Sequence, residues 1–399
     1  MKKKHLLVIS QYFYPETFRI NDMAAEWVKR GYKVTVLTGI PNYPMGKFFP
    51  GYSWTKRRRE NWQGMEIIRI PLIARGHSSL GMVANYLSFV ASGLVWNIFN
   101  KVKADLVFSF EVSPMTQVKV GCAYAKKNKV PHFVYVQDLW PDNIISVTGI
   151  KNPLIIKPID RMVDKIYAEA DKIFVPSPSF VKEILQRKNK INPEKVHYWP
   201  QYAEDFYKPI ERKKEKDEFF KIAFTGNIGR AQGLEILPKV ASILKDKKIK
   251  FIIVGDGRYQ SEFENQIENL DVKEKFLMLP RRPAEEIPEI LSECDAGFIS
   301  FNDSDLWKKT IPAKLQSYMA CGKAIIASAA GETQRIIEES GCGICSKLGD
   351  PEALANGILN LIQSDYISMG ERARKYFEKN FNKKILMDEM DKFIEEFTN

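Results

Sequence analysis

With 399 residues, 45% of them hydrophobic and 12% aromatic, the chain has material for two ample cores, each of roughly 200 residues. Five cysteines in such a length exclude a disulfide framework, and Cys342-Gly-Ile-Cys345 lacks the second CxxC or CxxH that a zinc site needs. The formal charge of +11 asks for an anionic partner; with basic residues dispersed among acids and no nucleic-acid-reading motif, a nucleotide diphosphate or an acidic lipid surface fits better than DNA or RNA.

Met1-Lys2-Lys3-Lys4-His5 precedes only a short apolar run, Leu6–Ile9, which reads as a first strand and not as a signal peptide; the active site is expected to face the cytoplasm. A loop over Ser10–Arg19, a helix from about Ile20 that stops at Gly31, and a strand over Lys33–Thr38 make the strand-helix-strand unit that opens a Rossmann-type sheet. No GxGxxG follows the first strand, so a dinucleotide is not indicated. Arg19 and Asn21 are candidates to face a ligand cleft, or else form a solvated helix start.

Gly39–Gln63 is a long insertion in which Phe48, Phe49, Tyr52, Trp54 and Trp62 alternate with Lys47, Lys56, Arg57, Arg58 and Arg59. That mixture suits an anionic membrane interface or a lipid-diphosphate acceptor; a mobile surface loop would carry it equally well. Met82–Phe99 is 18 residues without a charge. Two Asn, two Ser and a Gly within it, and strands on either side, argue against a spanning helix. It reads first as a core helix buried between the sheet and neighbouring helices, and second as a helix dipping into a membrane surface.

Asp105–Phe110 and His132–Val136 are further strands, separated by a helix that runs to Lys129. The second leads into Gln137-Asp138-Leu139-Trp140-Pro141, and the carboxyl ends of parallel strands are where such sheets bind ligands. Asp138, Trp140 and Asp142 are thereby candidates to face a substrate. Asp138 would polarise or orient an acceptor hydroxyl, or else cap a helix. A helix over Pro158–Asp171 and a strand over Lys172–Val175 follow, and Val196–Pro200 closes the first half. Residues 207–218 (YKPIERKKEKDE) form a charged linker.

In the second half, Ile222-Ala223-Phe224 is a strand, and Thr225-Gly226-Asn227-Ile228-Gly229-Arg230-Ala231-Gln232-Gly233-Leu234 opens a helix. Glycines here let the backbone approach a phosphate, and a helix N-terminus adds its dipole. Gly255-Asp256-Gly257 follows the strand Phe251–Val254, and Pro280-Arg281-Arg282-Pro283 follows Phe276–Leu279. Within Thr310–Ser328, Pro312 suits a first helical turn and Leu315, Tyr318 and Met319 repeat on one face. Gly322 stops the helix before the buried strand Ala324–Ala327. Lys314 in the first turn is ill placed against the helix dipole unless an anion meets it; we read that anion as the diphosphate of a nucleotide-sugar. Glu332, after Gly331, caps the next helix or reaches a ribose.

The run Pro312-Ala313-Lys314-Leu315-(x)3-Met319-Ala320-Cys321-Gly322-Lys323 resembles the donor-site helix of retaining GT-B glycosyltransferases of family 4, above all the fucosamine-transferase-like enzymes that build bacterial surface polysaccharides such as capsule and O antigen. Val254-Gly255-Asp256-Gly257 and Asp138-Leu139-Trp140-Pro141 carry the resemblance over most of the chain. It implies an α/β fold of two Rossmann-like domains facing each other across a cleft: an acceptor domain over 1–206, the linker 207–218, a donor domain over 219–375, and a C-terminal helix within 376–399 that crosses back. It implies transfer of a sugar, with retention, from a nucleoside-diphosphate sugar (UDP by default) to a lipid-linked diphosphate-sugar or glycan acceptor. The enzyme would sit peripherally on the inner face of the cytoplasmic membrane.

On that resemblance, Arg230 and Lys314 hold the diphosphate and Asp138 serves the acceptor side. Gly226, Asn227 and Gly229 lie against the phosphates, Gly255, Asp256 and Gly257 beside the nucleotide, Arg281 in the turn that meets the base, and Ser317 and Glu332 toward the ribose. The chain also departs from the pattern. Gln232 stands where relatives carry Lys, and Lys309 and Ser317 stand where they carry two Glu, leaving one hydroxyl for the ribose. Pro15–Arg19 replaces the family's early Gly-rich loop. Asp303-Ser304-Asp305 has metal-binding spacing but adjoins a Lys-rich stretch, so neither metal nor other cofactor is expected; protein cations and helix N–H groups would take the leaving-group charge. Two alternatives stand beside this reading. One is a nucleotide-sugar 2-epimerase of the same architecture, for which no carboxylate and His cluster is found. The other is a non-catalytic nucleotide-sugar binder, motivated by the lost Glu and Lys positions.

Overall fold

Short apolar runs separated by amphipathic stretches become buried parallel strands and the helices that cover them. The computed structural model describes residues 4–76, 78–211 and 218–398. Its contacts divide the chain into two units: Met1–Pro176 with Phe180–Trp199 and Glu389–Asn399, and Ser177–Ser179 with Pro200–Asp388. The sequence reading drew its boundary at 206 and a linker over 207–218; residues 212–217 of that linker lie outside the described residues.

The first unit holds β1 (His5–Ile9), β2 (Lys33–Gly39), β3 (Arg59–Trp62), β4 (Met65–Ile70), β5 (Leu106–Glu111), β6 (His132–Val136), β7 (Lys172–Val175) and β8 (Val196–Tyr198). They form one sheet in the order β3-β4-β2-β1-β5-β6-β7-β8. β3 pairs antiparallel with β4, and every other pair in this sheet is parallel. Connecting and covering them are α1 (Arg19–Lys29), α2 (Ser79–Phe99), α3 (Val118–Asn128), α4 (Asp142–Thr148), α5 (Pro153–Glu169) and α6 (Pro178–Leu185). Trp27, Phe108, Tyr135 and Trp199 meet edge to face through the middle of this core. The strand order reverses between β1 and β5, and a parallel sheet opens its ligand crevice at the carboxyl ends of such a pair.

The second unit holds β9 (Phe220–Thr225), β10 (Ile249–Val254), β11 (Phe276–Leu279), β12 (Ala296–Ser300), β13 (Ala324–Ser328) and β14 (Gly343–Ser346), all parallel, in the order β11-β10-β9-β12-β13-β14. Its helices are α7 (Ile236–Ile243), α8 (Gln260–Asn269), α9 (Ile287–Ser292), α10 (Asp305–Lys308), α11 (Ala313–Ala320), α12 (Glu332–Ser340), α13 (Pro351–Gln363) and α14 (Tyr366–Asn380). One apolar core lies on each face of the sheet. Here the order reverses between β9 and β12. The last helix, α15 (Lys383–Thr398), ends in the first unit, where Phe393 packs on Phe174, Phe397 on Phe133, and Asp391 pairs with Arg30 at 2.8 Å.

Three elements differ from the sequence reading. The insertion over Gly39–Gln63 is anchored: its end is β3, Tyr52 is buried under the guanidinium of Arg69, Trp62 stacks on Tyr14, and the Trp54 indole donates to the Leu72 carbonyl. The charge-free stretch is not a core helix. α2 buries Asn85, Phe89, Gly93 and Asn97 and turns its leucines outward, so its amphipathicity is reversed. The helix after the Gly-rich loop starts only at Ile236, because a 3-10 turn over Arg230–Gln232 comes between.

Candidate active site

The crevice of the second unit is built from backbone laced across the carboxyl ends of β9, β10 and β11. Gly226 N donates to the Val254 carbonyl, Gly255 N to Leu279, and Ile228 N to Asp256. The packing requires glycine: at Gly255 (φ +150°) a Cβ would lie 1.9 Å from the Gly226 carbonyl oxygen, and at Gly257 one would lie 2.2 Å from that of Ile228. Asn227 folds its amide between Gly229 and Gly257. Gly226, Asn227, Gly229, Gly255 and Gly257 are therefore brought together in one pair of interlocked loops. Asp256 and Arg281 meet above them as an exposed ion pair at 3.8 Å.

The 3-10 turn is pinned from β12. Asn302 N donates to the Ala231 carbonyl at 3.1 Å and Ser300 Oγ to that of Gln232 at 2.5 Å. Gly233 (φ +59°) closes the turn against the backbone of Phe301 and Asn302. The second residue of α11 reaches this turn: Lys314 Nζ donates to Gln232 Oε1 at 2.5 Å and lies 3.8 Å from the centre of the Phe224 ring. Loss of hydration pushes its ammonium down to about 7. Arg230 goes elsewhere. It is 75% exposed, paired with Glu262 at 2.5 Å and set over the Tyr259 ring.

The two residues assigned to the ribose are engaged locally. Ser317 Oγ donates back to the Ala313 carbonyl at 3.1 Å. Glu332 is buried, and it does not cap its own helix: α12 has no side-chain cap. Its carboxylate accepts from Ser179 N at 2.8 Å, Ser179 Oγ at 2.6 Å and the Arg335 guanidinium at 2.9 Å, Ser179 being grouped with the same unit. Beside Ser317, Gln316 is fully buried, and neither of its amide atoms meets a hydrogen-bond partner.

In the first unit, Asp138 is a clamp at the carboxyl end of β6. It accepts from Ser113 N at 2.8 Å and Asn143 Nδ2 at 3.0 Å, and Trp140 Nε1 donates to Ser113 Oγ at 3.0 Å. Beneath it, the fully buried Glu111 accepts from Gln137 N at 3.2 Å and Asp138 N at 3.1 Å. Burial raises the pKa of both carboxyls, that of Glu111 well above the usual range, and the neighbouring Asp138 charge pushes Glu111 further. Glu16 is the third buried carboxyl at this end of the sheet. It accepts from Phe13, Asn42 and Tyr43 N–H groups and is raised by burial to about 7. Neither Glu111 nor Glu16 stood out in the sequence. The usable signal was a carboxylate ending an otherwise apolar buried strand, DLVFSFE.

The second unit thus sets glycines at backbone contact distance and a lysine beside a strand-order reversal, features suited to an anion. Residues 17–201 match the profile described as "Glycosyl transferase 4-like domain", and residues 205–383 match "Glycosyl transferases group 1". The chain belongs to the glycosyltransferases. Among relatives of this glycosyltransferase, "Probable glycosyltransferase WbjE" of Pseudomonas aeruginosa is 26% identical over 267 residues, covering 63% of this chain and 65% of that one. "Amylovoran biosynthesis glycosyltransferase AmsK" of Erwinia amylovora is 26% identical over 180 residues, 44% of each chain. The matches thus span only part of the length of both relatives. Among solved structures, Anabaena Alr3699/HepE in complex with UDP superposes with a TM-score of 0.71 at 15% identity, covering 98% of this chain and 100% of that one. That likeness is one of fold: two Rossmann-like units with parallel sheets, as in GT-B glycosyltransferases. The matches favour neither an epimerase nor a non-catalytic binder.

Proposed function

We propose that this glycosyltransferase moves a sugar, with retention at the anomeric carbon, from a nucleoside-diphosphate sugar to a lipid-linked or glycan acceptor in surface-polysaccharide synthesis. The observation that carries the donor half is Lys314: a desolvated ammonium beside the glycine loops, at the N-terminal turn of α11. A diphosphate there would accept from Lys314 and from backbone N–H groups of the loop, and the developing leaving-group charge would be held without a metal. Lys314 would then exchange Gln232 for phosphate oxygen. Arg230, freed from Glu262, is the second cation in reach of the same loop. UDP is the first nucleotide to test, since a structural relative holds it.

The acceptor half rests on Asp138 and Glu111 at the carboxyl ends of β6 and β5. In this reading the acceptor hydroxyl attacks on the face from which the diphosphate departs, so no protein nucleophile is assigned. The basic and aromatic segment over 39–63 and the charge of +11 support an acceptor held at the inner face of the cytoplasmic membrane, with the enzyme peripheral to it.

A thermal-shift screen of UDP, GDP and their sugars tests the donor site, run on wild type beside Lys314→Ala and Arg230→Ala. One diphosphate should raise the melting temperature of wild type, and Lys314→Ala should abolish the shift. A shift that survives in Lys314→Ala would place the nucleotide elsewhere.

A further inference from the structure

We propose that the outward face of α2 is a docking surface for an anionic lipid bilayer, lying flat in its interfacial layer. This rests on the reading above that the acceptor is held at a membrane. α2 carries no charged residue over its 21 positions. Leu80, Val83, Leu87, Leu94, Ile98 and Phe99 stand outward at helical spacing, from 40% exposed at Leu94 to 83% at Leu80. Large exposed apolar stripes of this kind mark interaction sites.

The rotation of the helix is set by polar groups on its inner face, and this makes the exposure a built feature. Asn85 Oδ1 accepts from Gln11 Nε2 at 2.7 Å, and Asn85 Nδ2 donates to the Ile73 carbonyl at 2.6 Å. Lys127 Nζ donates to the Asn97 carbonyl at 2.5 Å. Gly93 lies so close to α3 that a Cβ would come within 2.5 Å of Val120 Cγ2. Turning the leucines inward would break these hydrogen bonds and bury a bulkier face where only glycine fits. A helix evolved for water would carry its asparagines outside.

Charge and topology select the occupant. Between Glu66 and Asp105 the sequence has no acid, while Arg75 precedes the stripe and Lys101 and Lys103 follow it. Cations at both ends of an apolar stripe complement an anionic headgroup layer. α2 links β4 to β5, strands of one sheet, and packs its inner face on α3, so it cannot cross the bilayer. A second copy fits poorly, since a stable dimer takes about 800 Å² from each partner and one helix stripe supplies less. Antiparallel pairing would also set Arg75 against Lys101 and Lys103.

The same helix is tied to the crevice of the first unit. Gln11, which holds Asn85, lies just past β1, and its own N–H donates to Gln117 Oε1 at 2.6 Å; Asn42 connects Asn85 to Glu16. Docking of α2 would therefore hold the loops at the β1 and β5 ends against the membrane, where a lipid-linked acceptor arrives.

Co-sedimentation with vesicles of phosphatidylglycerol and phosphatidylcholine tests the surface, with pure phosphatidylcholine vesicles beside them. Wild type should pellet with the anionic vesicles, and Leu87→Glu/Leu94→Glu should bind at least tenfold more weakly at unchanged melting temperature. Leu87→Ser/Leu94→Ser gives the same comparison without added charge. Equal pelleting of wild type and both variants overturns the proposal. So does a wild-type dimer, lost in the variants, that pellets with neither vesicle. Binding is read without nucleotide or acceptor, so it stands or falls apart from the transferase reading. Sugar transfer to a soluble acceptor, equal in wild type and variants, separates docking from chemistry.

Discussion

Lys314 donates to Gln232 at the position where the family resemblance expects a lysine. The lysine comes from the first turn of α11 and reaches the turn after β9, where a glutamine side chain receives it. The amide carbonyl and the face of Phe224 compensate part of the ammonium's lost hydration.

Lys314→Met should weaken binding of a nucleoside diphosphate by about ten- to a hundredfold, the range of a charge-assisted hydrogen bond worth about 1.5–3 kcal/mol. Arg230→Ala should cost less than about fivefold, because an exposed ion-pair partner contributes under about 1 kcal/mol. Isothermal titration of wild type and both variants measures the ratio. Equal losses would mean that Arg230 leaves Glu262 and shares the phosphate fully.

Donor affinity should depend on pH through Lys314. Its ammonium is lowered to about 7, and a bound diphosphate raises it again, so binding takes up a proton. Affinity for a nucleotide-sugar should be fullest below pH 7 and decline above it, and Lys314→Met should flatten that decline. Stability of the unliganded protein runs the other way. Its folded pKa lies below the unfolded value of about 10.4, so this lysine's contribution to stability increases as pH rises from 7 toward that value. Titrations in buffers of differing ionisation enthalpy report the proton uptake.

Gly255→Ala should lower the melting temperature and abolish nucleotide binding together. Its Cβ would sit 1.9 Å from the Gly226 carbonyl oxygen in a backbone conformation that side chains resist, a cost of about 3 kcal/mol or more. Gly226→Ala meets open space and bears only the φ of +132°, so about 1–3 kcal/mol is expected. Chemical denaturation of the two variants ranks them.

Glu111→Gln should match wild type near pH 4 and be the more stable of the two at pH 7, whereas Glu111→Ala should cost about 1–3 kcal/mol by leaving the Asp138 N–H unmatched, since Gln137 N keeps the Glu111 backbone carbonyl. The carboxyl is raised in the folded state, so wild type loses stability as pH climbs above the unfolded value of about 4.3; Glu111→Gln removes that part of the slope. Urea unfolding between pH 4 and 8 shows it.

Asp138→Asn divides positioning from chemistry. The amide oxygen can still accept from Ser113 N, so a purely structural Asp138 would retain transfer rate, while a residue that polarises the acceptor hydroxyl would lose more than about tenfold in kcat. The melting temperature and kcat should part company in the second case.

The alternation of apolar runs with amphipathic stretches made both Rossmann-like units legible, because parallel strands buried on two faces leave a plain hydrophobic signature. The glycine loops were legible for a related reason: Gly255 and Gly257 stand where backbone meets backbone and a Cβ has no room, while Gly226 answers to its φ of +132° alone. Side-chain direction was not. Arg230 and Lys314 looked equivalent as cations near a loop, yet one pairs outward with Glu262 and the other is desolvated against Phe224. Glu332 was assigned by its place at a helix start, but it is committed to Ser179, distant in sequence, and to Arg335.

The sequence by itself determined the fold class, the glycine loops and the lysine of α11, since backbone sterics and hydrophobic period act locally. Only the tertiary structure decided which face of α2 is buried and which partner each charged group takes. Both depend on contacts between residues far apart in the chain, Asn85 with Gln11 and Lys314 with Gln232, whose hydrogen bonds outweigh what composition alone would favour.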